Sequence, residues 1–201
     1  MEIDDKTYLL DEKNYIPIEC IKKQIVIGHT NNHDMKHVIG WKKRNNGQYK
    51  KTAAFTIDAA GIVYKHFEPT FQSKYFGKLE QDTKSIIILL ENDGGLIRKL
   101  PDETFYTWKG DIYNGRVVGR LWRGNNMWAH YSNKQFEACV ELVTMLCDEF
   151  FIPNVAMSHN TKIDDLTEFQ GVVYKSNLEK FYTDLSPAWD CETFKNKIEQ
   201  K

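Results

Sequence analysis

Blocks of buried-type and polar positions alternate along the chain in the manner of a mixed αβ sequence. Gln24-Ile25-Val26-Ile27-Gly28-His29-Thr30 sets three β-branched residues in a row and then gives way to a polar segment. That pattern predicts a strand buried on both faces, in the middle of a parallel or mixed sheet. Ser85-Ile86-Ile87-Ile88-Leu89-Leu90 predicts a second one, ended by Glu91-Asn92-Asp93-Gly94-Gly95, where both glycines are free to take positive φ. Ala53–Ile57 and Ile62–Phe67 flank the turn Asp58-Ala59-Ala60-Gly61 and read as a hairpin.

Helical periodicity appears three times. Asp34–Arg44 places Met35, Val38, Ile39 and Trp41 inward, with Asp34 as N-cap and Asn45-Asn46-Gly47 as the stop. Ser132–Phe151 is the strongest, with Ser132 as cap, Gln135 completing a capping box, and Phe136, Cys139, Val140, Val143, Leu146, Cys147 and Phe150 on one stripe. Cys191–Gln200 is the last. A short strand at Val155–Met157 and a polar helical stretch around 161–168 are expected between them.

Residues 1–23 read as a polar lead-in or arm, with Pro17 arguing for an edge or extended conformation, and 24–201 as a single domain. The stretch from Leu96 to Tyr131 is rich in Trp, Tyr, Gly and Arg, and a hairpin is expected around Asn114-Gly115. Its Trp108, Tyr113, Trp122, Arg123 and Trp128 are the candidates for a partner-binding face, since aromatic residues and arginine concentrate at interface hot spots; a packed surface hairpin is the alternative reading of the same residues.

A hydrophobic content of 41% with 13% aromatics excludes a disordered chain. The net charge of −1 supplies no global field for nucleic acid or an anionic membrane. No apolar run approaches the ~20 residues needed to span a bilayer. The acidic start Met1-Glu2-Ile3-Asp4-Asp5 has no apolar segment behind it, so no signal peptide and synthesis in the cytoplasm are expected. Cys20, Cys139, Cys147 and Cys191 form no CxxC pair and are expected as thiols.

The order of these elements resembles the zinc-dependent N-acetylmuramoyl-L-alanine amidases, the type-2 amidases related to peptidoglycan-recognition proteins. The likeness is carried by Ile25–Thr30, Phe55–Tyr64, Ser85–Asn92, Gly171–Asn177 and Thr183–Asp190 with Phe194. It implies an α/β fold with a central mixed sheet flanked by helices. It also implies a zinc held by two histidines and an acidic or cysteine ligand, the site that would make a nucleophilic hydroxide. In this chain the two histidine positions fall on Gly28 and Lys175, and only Asp184 remains. The supporting positions fall on Phe55, Tyr75, Leu89 and Tyr182. The expectation is a dismantled site with no metal cofactor. Such a domain would bind a peptidoglycan fragment or another protein, as a structural or assembly module of a phage virion or tail. The alternative is an active amidase with zinc moved onto His29, His159 and Asp184. It is disfavoured because adjacent strand residues face opposite ways. His33 and His37 are four apart and read as surface residues, and His66 and His130 as isolated ones.

Overall fold

The strand Gln24–His29 (β2) lies between two parallel neighbours, Ser85–Leu90 (β5) and Gly171–Tyr174 (β10), and all six of its residues are buried. This is the environment that a continuous Ile-Val-Ile run requires. The computed structural model describes residues 1–101 and 104–200. Beyond β5 the sheet continues with Phe55–Ile57 (β3), parallel to β5, then Ile62–Lys65 (β4), antiparallel to β3. Glu2–Asp4 (β1) closes that edge, parallel to β4, giving the order β1-β4-β3-β5-β2-β10 in a mixed six-stranded sheet. The expected α/β architecture is the one observed.

Register divides the sheet into two faces. Gly28, Leu89 and Thr56 are cross-strand neighbours and share one face; Ile27, Ile88 and Phe55 share the other. The helix Asn133–Phe150 (α3) and the helix Cys191–Glu199 (α5) pack together on the second face, where Phe194 meets Phe136 and Tyr174. Ser132 caps α3 by accepting from the Gln135 backbone N–H, at 3.0 Å. The capping box is only half made, because the Gln135 amide is used elsewhere. It donates to the carbonyls of Ile57 and Glu91, at 2.9 and 3.0 Å, and so ties α3 to the ends of β3 and β5.

Several expectations change. Residues 1–23 are packed onto the domain rather than standing off as an arm: β1 joins the sheet, and Tyr15 stacks on Phe67 and Phe71. Lys22 is 4% exposed and donates to the carbonyls of Phe71, Thr83 and Ser85, so its buried ammonium is satisfied by backbone acceptors. The first helix is Lys36–Lys43 (α1). Asp34 and Met35 sit at φ 55° and 52°, so Asp34 cannot cap it, and Ile39 is 45% exposed. Residues 161–168 form no helix, and Val155–Met157 shrinks to one bridge, Ala156 with Val172. The hairpin expected at Asn114-Gly115 instead joins Val117–Trp122 (β8) to Asn125–Ala129 (β9), and Arg123 and Gly124 supply the positive φ its turn needs. A smaller hairpin, Ile97–Lys99 (β6) with Thr104–Tyr106 (β7), precedes it. A short helix, Leu79–Lys84 (α2), went unanticipated, and its lone apolar residue, Leu79, is exposed.

His37 and His66, expected as a surface and an isolated residue, are buried and meet at Thr56. The His66 Nδ1–H donates to the Tyr8 carbonyl at 2.9 Å, so its Nε2 accepts the Thr56 hydroxyl at 2.9 Å. The Thr56 oxygen in turn accepts from His37 Nε2–H at 3.0 Å. This chain of bonds holds with both rings neutral. Burial pushes His37 down to about 3 and His66 down to about 4, below the ordinary histidine value. Because the folded values are depressed, their stabilising contribution is complete above pH ~6.5 and is lost as pH falls towards the folded values. Urea unfolding followed from neutral to acid pH is expected to lose up to ~1.4 kcal/mol per pH unit for each histidine. His37→Gln should remove its share of that slope. An unchanged slope in both His37→Gln and His66→Gln would sink this account.

Candidate functional site

Gly28 is the last residue but one of β2 and lies on the open face of the sheet, and β10 runs on directly into Lys175, the first residue of the helical turn Lys175–Leu178 (α4). The two positions are level, because Tyr174 pairs with Ile27 one residue earlier. A Cβ built on Gly28 would lie 3.3 Å from Lys175 Cδ and only 2.6 Å from Asp184 Oδ2. Gly28 therefore is the residue that makes room for what stands there. Lys175 Nζ is 3.0 Å from Asp184 Oδ2, and the two side chains are 16% and 3% exposed. The same carboxylate oxygen accepts the His29 backbone N–H at 3.2 Å.

The ammonium sits between two aromatic rings, 4.4 Å from the Tyr182 centroid and 5.4 Å from that of Tyr75. Burial by itself would lower the Lys175 ammonium, but Tyr75 and Asp184 beside it outweigh that and hold it above the ordinary lysine range. Burial also pushes the Tyr75 phenol up to about 12. At neutral pH the centre is thus an ammonium–carboxylate pair flanked by two intact phenols.

This centre does not fit a zinc ion. A zinc site needs lone pairs converging on one point. Here Gly28 offers no side-chain atom, a protonated lysine has no lone pair, and Asp184 already faces a cation. The relocated set fails geometrically as well. The His29 ring turns to the other face of the sheet, its Nδ1 2.7 Å from the Tyr131 hydroxyl. His159 is exposed and pairs with the Thr161 hydroxyl at 2.7 Å. Among the described residues, no three His, Cys, Asp or Glu side chains converge to hold a metal. His33 and His37 also part company, the first bonding to Asp93 and the second to Thr56.

Of the seven positions read from the resemblance, Gly28, Tyr75, Leu89, Lys175, Tyr182 and Asp184 converge here. Phe55 does not. It is buried on the α3 face, and the residue that β3 presents to the site's side of the sheet is Thr56. The site is the floor of an open groove of 490 Å³, whose lining includes Lys36, Trp41, Arg44, Tyr49, Lys51, Trp108 and Lys109. Arg44 and Lys51 belong to the basic runs Lys42-Lys43-Arg44 and Lys50-Lys51, which the sequence alone reads as solvated faces rather than binding patches; Lys36 and Lys109 stand outside any such run. Such residues carry no binding signal until the fold gathers them.

The expected partner face is only partly a surface. Trp128 is fully buried, its indole N–H donating to the Arg120 carbonyl at 2.7 Å. Arg123 turns inward: its guanidinium donates to the carbonyls of Ser176, Glu179 and Tyr182 and packs over Trp122. It holds one wall of the site by its backbone. Tyr113 is half-buried, its hydroxyl donating to the Arg116 carbonyl. Trp108 stands 61% exposed on the groove rim, its indole N–H fixed to the Asn31 carbonyl at 2.7 Å.

The sequence profile of the family described as N-acetylmuramoyl-L-alanine amidase matches residues 21–168, well over half of the chain. The match ends before Lys175 and Asp184, which the fold alone brings to the site. No curated protein sequence matches the chain. The fold is similar to the catalytic domain of XlyA, at TM-score 0.58 and 14% identity, over 98% of this chain and 99% of that one. It is also similar to N-acetylmuramoyl-L-alanine amidase LysC from Clostridium intestinale URNW, at TM-score 0.56 and 12% identity over 98% and 95%. A mutant of PlyL matches at TM-score 0.56 and 13% identity over the whole of both chains.

Proposed function

This chain belongs to the N-acetylmuramoyl-L-alanine amidase family, and on that premise we propose that it is a non-catalytic member, a binding module that engages a ligand over the Lys175–Asp184 pair without cleaving it. The observation that carries this reading is the ion pair itself. An internal ammonium stands where the resemblance puts a metal, and it neutralises Asp184 without lending the site a Lewis acid or an activated water. Leu89, beside Gly28 on the floor, has no group that could take or give a proton.

The partner in this proposal is a peptidoglycan fragment held in the groove, with attachment to a larger assembly such as a phage virion or tail as the setting. The rival reading, an active amidase using His29, His159 and Asp184, would have to rotate His29 through the sheet away from Tyr131. We therefore expect no release of peptide from purified peptidoglycan, with or without added zinc. Hydrolysis that disappears in Asp184→Ala would overturn the proposal.

A further inference from the structure

The chain carries 27 Lys and Arg against 28 Asp and Glu, so a groove lined without regard to charge would show both signs in similar number. This one is lined by Lys36, Arg44, Lys51, Lys109 and Lys175 and, among the described residues, by no carboxylate. Two of the five are compensated from behind, Lys175 by Asp184 at 3.0 Å and Lys36 by Asp34 at 3.4 Å. The other three have contacts that leave their charge in place. Lys109 donates to the neutral Asn32 amide oxygen at 2.5 Å, Arg44 lies over the Tyr49 ring at 5.2 Å, and Lys51 is exposed, with only a weak pull from the Asp82 carboxylate. Trp108 and the half-buried Tyr49 stand among these cations, with Trp41 buried behind them at 5% exposure.

From this segregation we propose that the groove is a selective site for a multiply anionic saccharide, whose oxyanions lie against Arg44, Lys51 and Lys109 while its sugar rings lie against the aromatic side chains. The inference rests on the reading of the groove as a binding site and adds the charge of what it binds. A concave surface lined by one sign of charge concentrates ligands of the other sign and orients them. Aromatic rings offer flat apolar area that a sugar's C–H face can cover, which a purely ionic patch lacks. The volume of 490 Å³ suits a few sugar units. A nucleic acid strand would need the cations to continue as a track beyond one pocket, and the net charge of −1 gives it no long-range attraction.

Two sources share this chemistry, a muropeptide with free stem carboxylates and a polyol-phosphate polymer with phosphodiesters. Binding of each to the intact protein should be measured by calorimetry, beside a neutral chitooligosaccharide and a thymidine oligonucleotide. At least one anionic glycan is expected to bind about tenfold or more tighter than the neutral one, with affinity falling as salt rises. Which anionic glycan leads identifies the source. The double variant Lys51→Glu/Lys109→Glu, both at exposed positions, should lose about tenfold or more with an unchanged thermal transition. Equal binding of the neutral sugar, no effect of the double variant, preference for the oligonucleotide, or no binding at all would each overturn the proposal. Cleavage of the muropeptide would refute the non-catalytic reading instead, and leaves charge selectivity to be judged on the binding data.

Discussion

Lys175→Met is expected to destabilise the protein by about 3–5 kcal/mol, because it removes the ammonium paired with the Asp184 carboxylate at 3% exposure, and the Arg123 guanidinium that also acts on Asp184 is tied to backbone carbonyls. The His29 backbone N–H remains as a partner, but one peptide dipole does not replace an ammonium at 3.0 Å. The double variant Lys175→Met/Asp184→Asn should recover most of the loss, since removing both charges of a buried pair is often close to neutral. Urea unfolding of the two variants at neutral pH makes the comparison. A single variant within about 1 kcal/mol of the parent would show that the pair does not hold the site. The pH dependence has a definite sign. The Lys175 ammonium is held above its ordinary value. Its contribution is therefore fully present below the unfolded lysine pKa of ~10.4 and is lost only as pH rises through the folded value.

A side chain at position 28 is the second large effect. In Gly28→Ala the new Cβ would meet Asp184 Oδ2 at 2.6 Å, and that oxygen cannot retreat freely while Lys175 and the His29 N–H hold it. The cost should be about 1–3 kcal/mol, the usual range for overpacking. Removing the lysine frees the carboxylate to move. Gly28→His/Lys175→His should accordingly tolerate the larger side chain better and gain measurable zinc affinity from two imidazoles and Asp184. Elemental analysis after dialysis against zinc makes the check. Peptidoglycan hydrolysis should stay negligible, because Leu89 still offers no proton acceptor at the floor. Full activity in that variant would mean that the ligands alone were missing.

The central strands were legible because burial on both faces writes an unbroken apolar run, and Ser85–Leu90 was read to the residue. Ser132–Phe151 was legible for a similar reason, since a long stripe and a cap reinforce each other. What escaped was decided by tertiary contact. Nothing local says that Gln135 will bond to Ile57 and Glu91 rather than back to its own cap. The hairpin went to Arg123-Gly124 rather than Asn114-Gly115, against turn preference, and there Arg123 binds three carbonyls of the neighbouring wall. At the site, the pairing of Lys175 with Asp184 could be anticipated from the resemblance. Phe55 could not be placed, because a shift of one residue in a strand exchanges one face for the other. The cationic lining was legible only as two basic runs, Lys42-Lys43-Arg44 and Lys50-Lys51, whose composition reads as solvated surface until the fold turns Arg44 and Lys51 into one groove. Its members come from α1, the approach to β3, the β7–β8 connection and the start of α4.

The order of strands has a consequence for synthesis. β2 emerges early and finds β5 within sixty-odd residues, but its other edge stays unpaired until residues 171–174 arrive. A nascent chain halted before that point presents Ile25, Val26 and Ile27 beside an open row of backbone donors and acceptors, the template on which chains aggregate. Lys175 follows β10 without a gap and Asp184 comes soon after, so the ion pair is assembled by the same late arrival that seals the sheet.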